Sequence, residues 1–309
     1  MRISTGQIWA NSLNNLMQAQ QRENEANTQV STQKVATDLA GYGSTSGVIA
    51  AYQSSLATTT GYLGVAQTVT DRLSSQDTAL TTTSQSASDA KDSIMSALAS
   101  NDGSTVMQSL QGAFSEALDG LNYEHNGSYL FAGGNDNTPP VSIGSMSQLS
   151  GSSVTVASVF TNGTVKKSST IDSNTTLQTG MLASDLGTKL MQVFKDVQDY
   201  NDDPTTGPFA NPLTDAQTTF LTTKAQEFSD AYSGLVNQTS LNGVMQKRVD
   251  NTTTSLQGQS DSLNQLITTR TSVDMSTAIT DLQQAQVAVQ ASAQVLASLN
   301  SSSLLNLLK

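Results

Sequence analysis

A chain of 309 residues with 36% apolar, 5% aromatic and 13% charged side chains predicts a thin aliphatic core, unlike the ring-filled interior of a compact enzyme. Its net charge of -11, with Lys166-Lys167 and Lys247-Arg248 as the only adjacent basic pairs, offers no basic stripe for a nucleic-acid backbone or an anionic lipid surface. The absence of cysteine removes disulfides, thiolate nucleophiles and cysteine metal sites together.

The first residues, Met1 to Leu16, lack the basic stretch, continuous apolar core and small-residue cleavage site of a signal peptide. No later run reaches membrane-spanning length, so no membrane insertion is expected. Trp9, Leu13, Leu16 and Val30 form a weak helical seam, interrupted by Gln20 and Glu23. Gly41-Tyr42-Gly43 with Gly47 is one residue too long for a dinucleotide fingerprint and follows no strand, so it reads as a flexible link between helices.

From Ile49 the spacing predicts a long helix, with Gly61 and Gly64 as its weak points. Val69, Leu73, Leu80, Ala87, Ala90, Ile94 and Ala97 step by four and three through the polar Gln76 and Thr83, the 3.5-residue period of a helix seam. Asn101-Asp102-Gly103 breaks it, Ser104 is the expected N-cap of the next helix, and Val106, Leu110, Phe114, Ala117 and Leu121 form its apolar face. Helical period disappears from about Asn126 to Gly180, where Gly, Ser, Thr and Asn punctuate β-prone runs such as Val154 to Phe160. A helix around Leu182 to Tyr200 and a turn-rich link from Asn201 to Pro212 follow.

Further on, Phe220, Lys224, Phe228, Ala231 and Leu235 form one stripe, and Val249, Leu256 and Leu263 repeat every seven residues. The last helix carries Met275, Ile279, Leu282, Gln286, Val289, Ala293, Leu296, Asn300, Ser303 and Leu307 at steps of four and three. A second stripe at Ala285, Ala288, Val295 and Leu299 widens its apolar face, as for a helix with more than one neighbour. Four leucines crowd the last six residues, including Leu304 and Leu305, and such a surface marks an interaction site.

The expected fold is mainly α: an elongated coiled-coil helical rod with paired N- and C-terminal helices and a small β-rich inserted domain. The expected parts are a terminal coiled-coil assembly domain (1–45 with 274–309), a helical rod domain (46–125 with 182–273) and the insertion (126–181). The expected assembly interface is Trp9, Leu13, Leu16, Val30, Ile279, Leu282, Val289, Leu296, Leu299, Leu304 and Leu305, and the first partner it implies is a second copy of the chain.

Candidate chemistry is sparse. His125 is the only histidine, so any histidine-based triad or metal site must run through it, and its place at an expected helix end favours carbonyl or solvent contacts. Gly163-Thr164-Val165-Lys166-Lys167-Ser168 lacks the glycine before lysine of a phosphate-binding loop. Asp202-Asp203 and Asp136 lack the alternating ligands and final carboxylate of a calcium loop. No catalytic residue, cofactor or metal is expected.

The closing stretch from Asp274-Met275-Ser276-Thr277-Ala278-Ile279 to Gln286, running on to the terminal Ser-Leu-Leu-Asn, resembles the C-terminal helix of the flagellin family. Within that family, Met1-Arg2-Ile3-Ser4-Thr5 and the run from Asn126-Gly127-Ser128-Tyr129-Leu130-Phe131-Ala132-Gly133-Gly134 into Thr138-Pro139-Pro140-Val141 resemble the hook-filament junction branch, hook-associated protein 3. Ser31-Thr32-Gln33-Lys34-Val35 and Asp38-Leu39-Ala40-Gly41 depart from the family's usual linker sequences. The resemblance implies a secreted structural subunit of the bacterial flagellum, passed unfolded through the flagellar export apparatus with an export chaperone. It further implies assembly through terminal helices beside a neighbouring hook-associated protein and flagellin. Two alternatives stay open: flagellin itself, and an adhesin or enzyme carried on the insertion.

Overall fold

The computed structural model describes residues 5–307, of which 5, 300 and 302–307 are described by backbone alone. The chain is mainly α. Six α-helices occur among these residues: α1 (Thr5–Thr32), α2 (Ser46–Ser100), α3 (Val106–Leu121), α4 (Ala183–Asp202), α5 (Asp215–Thr271) and α6 (Met275–Leu307). Gly61 and Gly64 do not interrupt α2, which runs unbroken for 55 residues. The described strands are short and pair antiparallel: β1 (Glu124–His125) with β2 (Ser128–Tyr129), and β3 (Ser168–Thr170) with β4 (Thr176–Gln178).

The packing divides the chain into two compact units, residues 60–257 and residues 1–59 with 258–309. In the first, the apolar faces expected for α2 from Ala79 onward, α3, α4 and the start of α5 converge on one large core. Phe194 of α4 stands at its centre, edge-on to Phe114 of α3 at 5.3 Å and to Phe228 of α5 at 4.9 Å. Such ring pairs add about 0.5–1.5 kcal/mol beyond the area they bury. Leu80, Ile94, Leu110, Leu121 and Leu190 surround them, fully buried. Val141, Met146, Leu149, Val156 and Val159 from the inserted segment join the same core.

Several local expectations need correction. Val154 to Phe160 is not a strand: Val156–Val159 forms a 3-10 turn, and Phe160 makes one isolated bridge to Val141. Both valines face the shared core, which outweighs their β preference. Ser104 does not cap α3, whose N-cap position is Thr105. Instead its N–H donates to Asp102 Oδ1 at 2.9 Å, a local turn that competes with capping. The link at Gly41 to Gly43 is ordered as a 3-10 turn over Ala40–Thr45 that leads straight into α2. It is held by Tyr42, whose hydroxyl donates to Ala36 O at 2.6 Å, and by Asp38, whose Oδ1 accepts from Gly41 N.

His125 does not end a helix either. It closes β1, and Asn126 (φ 52) and Gly127 (φ 74) make the two-residue turn into β2. Both turn residues lie in the left-handed region that suits the twist of a tight hairpin, where Asn-Gly is the preferred pair. The hairpin then leads through Leu130 and the fully buried Phe131 to Ala132. Phe131 O accepts from Ala183 N, and Ala132 bridges Leu182, so this segment clasps the start of α4.

Candidate assembly surface

In the unit formed by residues 1–59 and 258–309, α1 and α6 run antiparallel. The segments that lead out of α1 and into α6 are themselves paired: Val35 N donates to Thr271 O at 2.9 Å, Val273 N to Gln33 O at 3.1 Å, and Lys34 bridges Ser272. Gln29 reinforces the join by donating from Nε2 to Val35 O at 3.0 Å.

Covered residues recur along α1 at Ser12, Leu16, Ala19, Glu23, Ala26 and Val30, with Gln29 covered beside Val30, and those of α6 are Met275, Ala278, Leu282, Ala285, Val289, Ser292, Leu296 and Leu299. Both sets step by four and three, so each helix presents a heptad seam to the other. Of the expected interface residues, the structure brings Leu16 and Val30 together with Leu282, Val289, Leu296 and Leu299 on this seam. Leu13 and Ile279 lie outside it, 45% and 44% exposed, and Trp9 is 38% exposed. The side chains of Leu304 and Leu305 lie outside the described residues.

The alternate seam position in α6 therefore falls at Ala278, Ala285, Ser292 and Leu299, one residue before the expected Ile279, Gln286, Ala293 and Asn300. Small residues let the two backbones approach closely, and hydropathy alone favours the bulkier Ile279. Among the described residues, Ala19, Ala26, Ala278 and Ala285 are the buried apolar residues of the pair, at 7% exposure or less. Each alanine methyl contributes about 0.8 kcal/mol, against roughly 1.5–3 for each leucine or phenylalanine of the other unit's core. The fully buried apolar groups of the pair are thus small, and helices gain most of their stability from packing against neighbours.

Its outside carries large apolar side chains among mostly uncharged polar ones. Ile8, Trp9, Leu13, Met17, Ile279, Val287 and Val295 are each more than a third exposed. On α6 the three exposed residues occupy different sides of the helix, because steps of eight advance around it. A helix that is apolar on several sides is one that neighbours cover. Charge tells the same story: residues 3–21 and 282–308 contain no Asp, Glu, Lys, Arg or His. Covering these stretches leaves no ionic group stripped of water, which is the largest cost in burying a surface.

The residues weighed for chemistry occupy the other unit and are held in local networks. His125 Nδ1 lies 2.8 Å from Ser75 Oγ, whose own proton goes to Asp71 O, and Asn126 Nδ2 donates to His125 Nε2 at 3.0 Å. In this wiring the imidazole donates to Ser75 and does not act as a base toward it. Asp136 pairs with Lys167, and Lys166 pairs with Asp185 at 2.7 Å. Asp203 Oδ1 accepts from Thr205 N and Oγ within its turn. Among the described residues no group of three or more His, Cys, Asp or Glu side chains is placed to hold a metal ion, and no helix is long and apolar enough to cross a membrane.

Residues 226–308 match the family model of the bacterial flagellin C-terminal helical region. No curated protein matches the chain in sequence. Among solved structures, one assigned as a flagellar hook-associated protein from Vibrio parahaemolyticus is 13% identical, with a TM-score of 0.59 over 75% of this chain and 98% of that one. FlgL of Bacillus cereus is 14% identical, with a TM-score of 0.55 over 69% of this chain and 96% of that one. At these identities the likeness is one of fold. The resemblance to flagellins is borne out by the family match over most of α5 and α6, and the mainly α fold is that of flagellar hook-associated structures.

Proposed function

Starting from a chain whose residues 226–308 match the flagellin C-terminal helical region, we propose that it is a structural, non-enzymatic subunit of the bacterial flagellum that forms the junction between hook and filament. It assembles with copies of itself through α1 and α6, with a neighbouring hook-associated protein and flagellin as its unlike partners. It reaches the cell exterior through the flagellar export apparatus, accompanied by an export chaperone.

The observation that carries this reading is the terminal helix pair. The fully buried apolar residues of its internal seam are alanines, its outer residues include Ile8, Trp9, Leu13, Met17, Ile279, Val287 and Val295, and residues 3–21 and 282–308 are free of charge. Repeated packing of identical chains covers such a surface on every side. The fold likeness to two hook-associated structures supports the junction over the bulk filament. The 126–134 run that resembles the junction branch supports it through internal structure, since Leu130, Phe131 and Ala132 are buried.

Immunogold labelling of intact cells, paired with deletion of the gene, tests the proposal. The expected result is a label confined to a band at the filament base, with deletion leaving hooks in place, filaments missing and flagellin shed into the medium. Label along the whole filament would establish the bulk-subunit role instead.

A further inference from the structure

The unit of residues 60–257 contains two apolar cores, and the boundary between them is polar. The large core takes in α2 from Ala79 onward and α5 up to Leu235, with α3, α4 and the insertion. The small one consists of Ala66, Val69, Leu73, Ile171, Leu177 and Val249. Between them stand Gln76 on α2, Thr179 just after β4 and Asn242 on α5, each fully buried. Among the described residues only the half-buried Met245 is packed against both clusters.

This layer is only half satisfied. Gln76 Nε2 donates to Thr179 O at 2.9 Å, while Asn242 Nδ2 and Gln246 Nε2 donate to Leu73 O at 2.8 and 3.1 Å. The partner atoms left over are Gln76 Oε1, Thr179 Oγ1 and Asn242 Oδ1, joined at the rim by Arg72 Nε and Asp136 Oδ1. Among the described residues these five are the buried side-chain polar atoms without a hydrogen-bond partner. A partly satisfied layer weakens the coupling that continuous apolar packing would supply.

The two cores are also unequal. Six buried residues without an aromatic ring make up the small core, against thirty-five in the large one, including its Phe114, Phe194 and Phe228. We propose that the Gln76–Thr179–Asn242 layer is a break in cooperativity. The small-core side, comprising α2 from residue 60 to 75, α5 from 245 to 257 and the β3–β4 hairpin, opens as a unit while the large core stays closed.

Native-state hydrogen exchange on the full-length chain, read by peptide, tests this. Amides of α2 between Ala79 and Ile94 and of α5 between Leu221 and Leu235 are expected to exchange about 100-fold more slowly than those at 66–73 and 249–256, as for distinct cooperative units. The step in protection should fall at residues 74–78 and 236–246. In the double variant Gln76→Leu with Asn242→Leu, which joins the two cores, the gap should shrink to about 10-fold or less. Equal protection on both sides, or a step at some other level of the helices, would overturn the proposal. So would a folded double variant that keeps the full gap. Should that variant not fold, the position of the step in the parent chain decides.

Discussion

Gly120 of α3 lies so close to Thr83 of α2 that a Cβ on the glycine would sit 2.2 Å from Thr83 Oγ1, 2.8 Å from Ala79 O and 2.9 Å from Thr83 N. Two of these three atoms are backbone, so the crossing cannot relax by a side-chain rotation. Thr83 is itself buried and donates to Ala79 O at 2.8 Å. Gly120→Ala should therefore push α2 and α3 apart and destabilise the 60–257 unit by about 1–3 kcal/mol, the usual cost of overpacking. Thermal melting checks it, and an unchanged melting temperature would show that the helices slide to make room.

That crossing illustrates what was legible in the sequence and what was not. The seven-residue period of α2 and the apolar faces of α3 and α4 announced themselves because leucine and phenylalanine recur at the core-facing positions. Gly120 carried no such signal, since its role lies in what it lacks. The α1/α6 seam was half legible for the same reason: Leu282, Val289 and Leu296 stood out and Ala285 fell on the second stripe, while Ala278 carried no signal. Alanine is chosen there for close approach, and hydropathy favours the larger Ile279, which faces outward. The Asn126-Gly127 hairpin was readable from its turn chemistry alone, but the apolar run of α3 just before it suggested a helix end. Among the residues expected at the assembly interface, Leu16, Val30 and Leu299 are covered within the chain, while Met17 and Val287, which sit off the expected stripes, are exposed.

Glu116 of α3 has its carboxyl pKa raised, first by partial burial and then by the nearby negative charge of Asp89, with Asp119 adding to it. A carboxyl whose folded-state pKa lies above its unfolded value favours the folded chain less when ionised, so the penalty is present above the folded pKa and vanishes below the unfolded one. Glu116→Gln should thus raise the melting temperature at neutral pH. Because the group is mostly solvated the gain should be small, about 1–2 °C. It should fade as pH falls below about 4, where the parent glutamate is protonated as well. Melting curves at both pH values check the sign, and a stabilisation that grows on acidification would be the wrong one.

Trp9 is the only tryptophan, and 38% of its surface is exposed on α1. Its fluorescence should shift to the blue when subunits assemble and cover it. Because residues 3–21 and 282–308 are uncharged, raising NaCl from about 0.05 to 0.5 M should leave the assembly concentration almost unchanged. Sulfate, which strengthens apolar burial by exclusion from the surface, should lower it. A Trp9 spectrum identical in monomer and polymer would remove α1 from the interface.

Leu296 and Ile279 lie on the same helix, yet they separate the internal seam from the outer face. Leu296 is half-buried against α1, while Ile279 is 44% exposed. An aspartate at either position puts a charge where assembly would bury it, which costs several kcal/mol for an unpaired carboxylate. Both Leu296→Asp and Ile279→Asp should therefore abolish polymer seen by electron microscopy, with the melting of the 60–257 unit unchanged. Their monomers should differ: hydrogen exchange in α1 and α6 should accelerate in Leu296→Asp, where the seam is damaged, and stay at the parent rate in Ile279→Asp. Normal polymer from Ile279→Asp would mean that this outer face of α6 has no neighbour, and the contacts of the assembly would then have to run through α1.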